Sequence, residues 1–297
     1  MSRRSIPRAF AAAAAALLFA VLPGFGPTAT AAVPAPAPRP FVSQLDLFCQ
    51  ATDPYTPPPT SVSFRHLNPV LTKLGGDTVR LGTREQLCVP VAKNGVIPPR
   101  GIVDFVRWVD LSCYRVQGRT VEFPLRLSHL NPVVQKLGAR DTEAVMGTPE
   151  QLCVPVAKNG QLPPPEVLNL VRHLDLACYS LKPQEPLGIP LTLSHLNPVL
   201  TGLPKFEVKV AEARGLCVPV LKNGDEAPGD VLNTLRWVDL EKFDVVGGPN
   251  PGPTVLTLKL THLNPVLARL PVETAKVGGR AQLGLPVAKN GAVPPEK

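Results

Sequence analysis

The segment Gln86–Gly95, QLCVPVAKNG, recurs unchanged at residues 151–160, as GLCVPVLKNG at 215–224 and as QLGLPVAKNG at 282–291. Recurrence at a fixed period of about 64 residues constrains the chain more than its composition does, because each copy is one small structural unit stacked beside its neighbours. Each copy opens with an LDLxCY-like segment, at Leu45–Cys49, Val109–Tyr114, Leu174–Tyr179 and Val238–Phe243. An HLNPV motif follows, with His66, His129, His195 and His262. The LCVPVxKNG segment closes the copy, and a connector leads to the next.

The distance from the closing position to the next opening one is 25 residues three times, from Cys88 to Cys113, Cys153 to Cys178 and Cys217 to Lys242. Spacings inside a copy vary by several residues, as surface loops do. An invariant connector reads as packed structure, so the copies are joined rigidly. The copies are assigned to residues 45–108, 109–173, 174–237 and 238–297.

Within a copy, apolar residues alternate. Val121, Phe123, Leu125, Leu127 and His129 share one face, as do Leu256, Leu258, Leu260 and His262, and as do Val109, Leu111 and Cys113. Period-two patterning predicts half-buried strands. Pro90, Pro155, Pro219 and Pro286 lie inside the closing strand, which predicts an edge or a bulge there. PPPEVLNLVRH, residues 163–173, predicts one short helix in a connector. The fold class expected is mainly β: four tandem repeats of short strands, each with a short helical or irregular connector.

Six cysteines allow fifteen pairings. The repeat reduces that number. The fourth copy lacks both the opening cysteine, replaced by Lys242, and the closing one, replaced by Gly284. Pairing within a copy gives Cys49–Cys88, Cys113–Cys153 and Cys178–Cys217 and orphans no thiol. Pairing each closing cysteine with the next opening one strands Cys49 and Cys217. The within-copy scheme is therefore the expectation. It has a physical reason, because a proline-rich unit of this size with few aromatics has little core to bury and needs a staple.

The N-terminus reads as an export signal at residues 1–31. Arg3, Arg4 and Arg8 precede an apolar run from Ala9 to Leu22, and Ala29-Thr30-Ala31 is a small-residue cleavage site. Fourteen apolar residues are too few to span a bilayer as a helix, so no transmembrane anchor is expected. General secretion fits the cysteines better than a twin-arginine route. Residues 32–44, which include AVPAPAPRP, read as a Pro/Ala-rich extended spacer. Removing residues 1–31 lowers the formal charge from +8 to +5. With no basic run beyond, this charge serves solubility and is not a nucleic-acid footprint.

Candidate chemistry is sparse. The motif histidines lie 63, 66 and 67 residues apart, without the local ligand pairs of zinc sites, and read as half-buried imidazoles bonded to backbone at strand ends. The Asn-Pro pairs that follow predict turns or helix starts. Lys-Asn-Gly, from Lys93 to Gly95 and in the other three copies, predicts a tight turn, with a functional basic tip as the sharper alternative. Asp110, Asp175 and Asp239 recur and read as fixing strand starts. Trp108 and Trp237, each after an arginine, predict cation–π stacking or packing between copies. No nucleophile elbow, zinc-helix or phosphate-loop motif is present, so no catalytic, cofactor-binding or metal-binding residue is assigned.

The alternation of LSCYRV and LACYSL with LCVPVAKNG resembles a family of uncharacterised exported bacterial proteins built from tandem copies of a domain of unknown function. The likeness covers residues 45–297. It implies a β-rich extracellular repeat and brings no activity, cofactor or catalytic residue. HLNPV and the cysteine-free fourth copy depart from that pattern. Together these features point to a secreted structural or binding protein with an extracellular or cell-envelope partner, which repeated surfaces can engage multivalently. The competing class is an extracellular hydrolase with its site between repeats.

Overall fold

The computed structural model describes residues 34–248 and 256–297. The export-signal expectation for residues 1–31 lies outside the described residues. Four strands come from the opening segments: β1 (Leu47–Tyr55), β5 (Leu111–Arg115), β8 (Asp175–Lys182) and β11 (Leu240–Gly247). Four come from the closing segments: β4 (Arg84–Lys93), β7 (Thr142–Lys158), β10 (Phe206–Lys222) and β13 (Glu273–Lys289). The strands that end at the motif histidines are β2 (Ser61–His66), β6 (Phe123–His129), β9 (Pro190–His195) and β12 (Leu256–His262), and β3 (Gly76–Arg80) pairs with β2. Short helices are α1 (Pro38–Val42), α2 (Val103–Val106), α3 (Pro132–Lys136), α4 (Pro165–Val171) and α5 (Gly229–Leu235).

Opening and closing strands alternate around a closed antiparallel ring. β4 lies between β1 and β5, β7 between β5 and β8, β10 between β8 and β11, and β13 between β11 and β1. The pairing of Leu47 with Gly284 closes it. Closure removes the exposed edges that an open row of units would present.

The histidine-ending strands form hairpin arms that pack over the outside of the ring. Leu87 and Val89, on the outward face of β4, pack with Leu258, Leu260, Ala275 and Val277 of the β12–β13 hairpin. The arms also interlock. The end of β2 pairs with Val220–Lys222 of β10, β6 with Val287–Lys289 of β13, β9 with Val91–Lys93 of β4, and β12 with Val156–Lys158 of β7. Each arm therefore grips the closing strand two copies away, on the opposite side of the ring.

The four closing-strand prolines explain how one strand serves so many partners. Leu47 pairs with Pro90, but the pairing of β4 with β5 stops at Cys88. Pairing stops in the same way before Pro155, Pro219 and Pro286. A residue without an N–H cannot bond on both sides, so the strand releases one ring neighbour there and takes up a hairpin arm. The expected edge or bulge is instead a change of partner in the middle of a sheet.

Inside the ring, Leu47, Leu111, Leu176 and Leu240 stack with the cystines, and this core runs into the buried faces of α1, α2, α4 and α5, which close one end. The bridges are Cys49–Cys88, Cys113–Cys153 and Cys178–Cys217. The connector helices account for the invariant spacing. Residues 38–42 correct the spacer expectation: Phe41 and Val42 are fully buried in the helical cap, and the Arg39 amide bonds the Pro295 carbonyl at 3.0 Å. FVSQLDL here occupies the place of FVRWVDL in the next copy. Trp108 and Trp237 pack on this core, whereas the cation–π pair found among the described residues is Arg84 over Tyr55.

Lys242 faces Gly284 in the register that places Cys49 opposite Cys88. A Cβ at Gly284 would lie 3.5 Å from Leu240, an ordinary contact, so the position has room for a side chain. Restoring the pair as Lys242→Cys with Gly284→Cys is expected to form a fourth bridge. Its loop of 42 residues matches the others, so stabilisation of about 4 kcal/mol follows on the chain-entropy model. Thiol titration and the denaturant midpoint check it; free thiols at both positions would show that the register does not permit the bond.

Candidate functional site

The end of the ring opposite the helical cap is a polar mouth with a cavity of about 280 Å³, bordered by Glu85, Gln86, Glu150, Gln151, Arg214, Lys242, Arg280 and Gln282. Alternation builds it: Gln86, Gln151 and Gln282 lie two residues before Cys88, Cys153 and Gly284 and so share their inward face. Gly215 holds the fourth such position and contributes no side chain to the opening.

Lys242 Nζ donates to Gln86 Oε1 at 2.7 Å and to Gln151 Oε1 at 2.8 Å. Gln86 donates to Gln282, Gln282 donates to Asp244, and Arg214 also binds Asp244. On the other side Gln151 donates to Glu85, which Arg115 also holds. Burial lowers the Lys242 pKa to about 8, against the opposing pull of Glu85, Glu150 and Asp244. The amine thus exchanges protons close to neutral pH. Donors and acceptors of both signs around a small cavity suit a polar, hydrogen-bonding ligand.

The motif residues lie elsewhere. Asn94, Asn159 and Asn290 have positive φ, as do Gly95, Gly160, Gly224 and Gly291, so the tight-turn expectation is met. The alternative of a functional basic tip is not. Lys93, Lys158, Lys222 and Lys289 are buried and form ion pairs with Asp46, Asp110, Asp175 and Asp239. The asparagine of each HLNPV completes the group. Asn131 Nδ2 donates to Asp46 at 2.8 Å, Asn197 to Asp110 at 2.6 Å, Asn264 to Asp175 at 3.0 Å and Asn68 to Asp239 at 2.6 Å. The aspartates do more than start strands: each joins the lysine of its own copy to the asparagine of another. In the third copy Asp225 adds a carboxylate that binds Asn264 and His173.

The four motif histidines are buried, and at His66 and His262 side chains replace the expected backbone partners, while neither nitrogen of His129 has a hydrogen-bond partner. His66 Nε2 lies 3.2 Å from Tyr179 Oη, and His262 Nε2 lies 3.2 Å from Tyr114 Oη and 3.1 Å from Glu273. Glu273 is also held by Arg84 at 2.8 Å, so this buried carboxylate is fully satisfied. Glu241 is not. It is buried without a hydrogen-bond partner, with His129 Nε2 3.8 Å away, and burial raises its pKa to about 8.

A carboxyl whose folded-state pKa lies above its ordinary value stabilises the fold only at low pH, and that contribution fades as pH rises through about 8. Glu241→Gln, which keeps shape without ionising, is expected to be more stable than the parent at pH 8 by roughly 4 kcal/mol. The gain should vanish near pH 4.5. Denaturant midpoints across that range check it, and equal curves for the two proteins would contradict it.

Comparison with family models, curated proteins and solved structures finds no match. Among the described residues no helix is long and apolar enough to cross a membrane. That fact and the disulfides are compatible with an exported protein.

Proposed function

We propose that the chain is an exported binding or structural protein, built from four tandem copies of a β-rich unit, that contacts its ligand through the polar mouth around Lys242. The observation that carries this reading is Lys242 itself. Where the other three copies place a cystine, the fourth places a buried amine that anchors a hydrogen-bond network open to solvent on one side. The resemblance to exported bacterial repeat proteins supports the same setting. The partner is an extracellular or cell-envelope molecule bearing polar groups, and nucleic acid is not among the candidates.

Retention of the purified mature chain on cell-wall and extracellular polymers and on envelope extracts tests this. Saturable retention is expected, reduced at least tenfold by Lys242→Met with unchanged circular dichroism. A second reading, an extracellular hydrolase with its site between copies, draws on the same lysine, whose near-neutral pKa suits proton transfer or nucleophilic attack. Absence of retention together with turnover of a generic ester, glycoside or peptide substrate would reverse the order.

A further inference from the structure

We infer that the four buried Lys–Asp pairs are sites of intramolecular amide bonds, joining Lys93 to Asp46, Lys158 to Asp110, Lys222 to Asp175 and Lys289 to Asp239. The geometry is the same at each. A lysine at the end of a closing strand and an aspartate just before or at the start of an opening strand meet inside the protein, and both side chains are at most 4% exposed. An asparagine from another copy donates Nδ2 to the carboxyl and is itself fixed by a backbone amide two residues on. Three residue types thus recur together four times, in positions that packing alone would fill with apolar side chains.

As ion pairs these sites are poorly served. An ammonium carries three N–H donors. Among the described residues the Lys158, Lys222 and Lys289 amines have no hydrogen-bond partner beyond their contact with that carboxyl, and at Asp46 and Asp110 one carboxylate oxygen is unmatched while the other takes both lysine and asparagine. Taking two charges out of water costs several kcal/mol per ion, which only good geometry and full hydrogen bonding offset. A secondary amide removes both charges, leaves one N–H where there were three, and keeps a carbonyl oxygen to accept from the asparagine.

The step needs nothing from outside. A neutral amine donates its lone pair from Nζ to Cγ of the protonated carboxyl, and the asparagine N–H steadies the oxygen that gains charge. The carboxyl hydroxyl then departs with one amine proton as water, so a C–O and an N–H bond are exchanged for a C–N and an O–H bond without oxidation or reduction. In water the reaction is held back because amine and acid exist as ions. Burial favours the neutral forms here: it pushes every one of these lysines down and every one of these aspartates up, against their mutual attraction. Proximity supplies the rest, since oriented groups react as if at very high concentration.

Mass spectrometry of the purified chain, reduced and denatured, tests the inference. The expected mass is that of the sequence less four waters, with trypsin failing to cut after Lys93, Lys158, Lys222 and Lys289 and releasing branched peptides instead. Asp110→Ala should restore the mass of one water and cleavage after Lys158, leaving the other three sites unchanged. The full sequence mass with cleavage at all four lysines would overturn the inference. So would loss of ammonia with the lysines joined to Asn68, Asn131, Asn197 and Asn264.

Discussion

A chain ending at Trp237 is expected to show no cooperative unfolding transition, although it retains three complete sequence copies and all three disulfides. Without β11 and β13 the ring opens. β1 loses the partner of Leu47–Thr52 and β10 loses that of Val208–Cys217. β6 loses the partner of Leu127–His129, and Asn68 loses Asp239. Two long edges with apolar faces are then exposed at once, which favours aggregation. Independent modules would lose one part in four of their structure and stability. Interlocked arms distribute the loss over every copy. Urea titration followed by circular dichroism distinguishes the two: a sharp transition with three quarters of the parent signal would show that the copies stand alone.

Acid is the second large effect. Burial against aromatic rings lowers the pKa of His66, His129 and His195 to about 4: His66 lies beside Phe64 and Tyr179, His129 beside Phe243, and His195 beside Phe48 and Phe206. The unfolded chain takes up protons at these positions below about pH 6.5, whereas the folded chain does so only near pH 4. Their contribution is therefore complete above pH 6.5 and is lost as pH falls toward 4, at roughly 3 kcal/mol per histidine. Glu241 runs the other way and returns about as much as one histidine removes. The net loss of roughly 6 kcal/mol is comparable with the whole stability of many domains. His195→Gln should flatten the dependence of the denaturant midpoint on pH between 6.5 and 4 by about a third of the histidine term. A parallel curve for that variant would assign the acid sensitivity to other groups.

Much of the local structure is legible in the sequence, because alternation reports which face a side chain takes. The joint loss of Cys at positions 242 and 284 identifies the bridges, and Asn-Gly identifies the turns. Partner choice is less legible. A three-residue strand end such as Arg65–His66 with its neighbour carries its orientation but not the address of the closing strand it meets. α1 is hidden by its prolines and its five-residue length, although FVSQLDL against FVRWVDL was the available signal. The burial of Lys93 is not legible, because Lys-Asn-Gly has the composition of an exposed turn while its partner Asp46 lies 47 residues earlier. Lys242 reads in sequence as a missing cysteine, and only ring closure turns it inward toward Gln86 and Gln151. The recurrence of Asp, Asn and Lys in phase in all four copies was the clue to the buried clusters. Repeated polar residues in a fold with a small core tend to be structural partners of one another.

Pairing of Leu47 with Gly284 joins strands that are almost the full length of the chain apart. During synthesis β1 can pair early with β4 of its own copy, but its other edge has no partner until β13 has emerged. Such distant contacts make folding slow and leave nascent strands unpaired meanwhile. The ring therefore closes in one late event, after the strands of the fourth copy are in place.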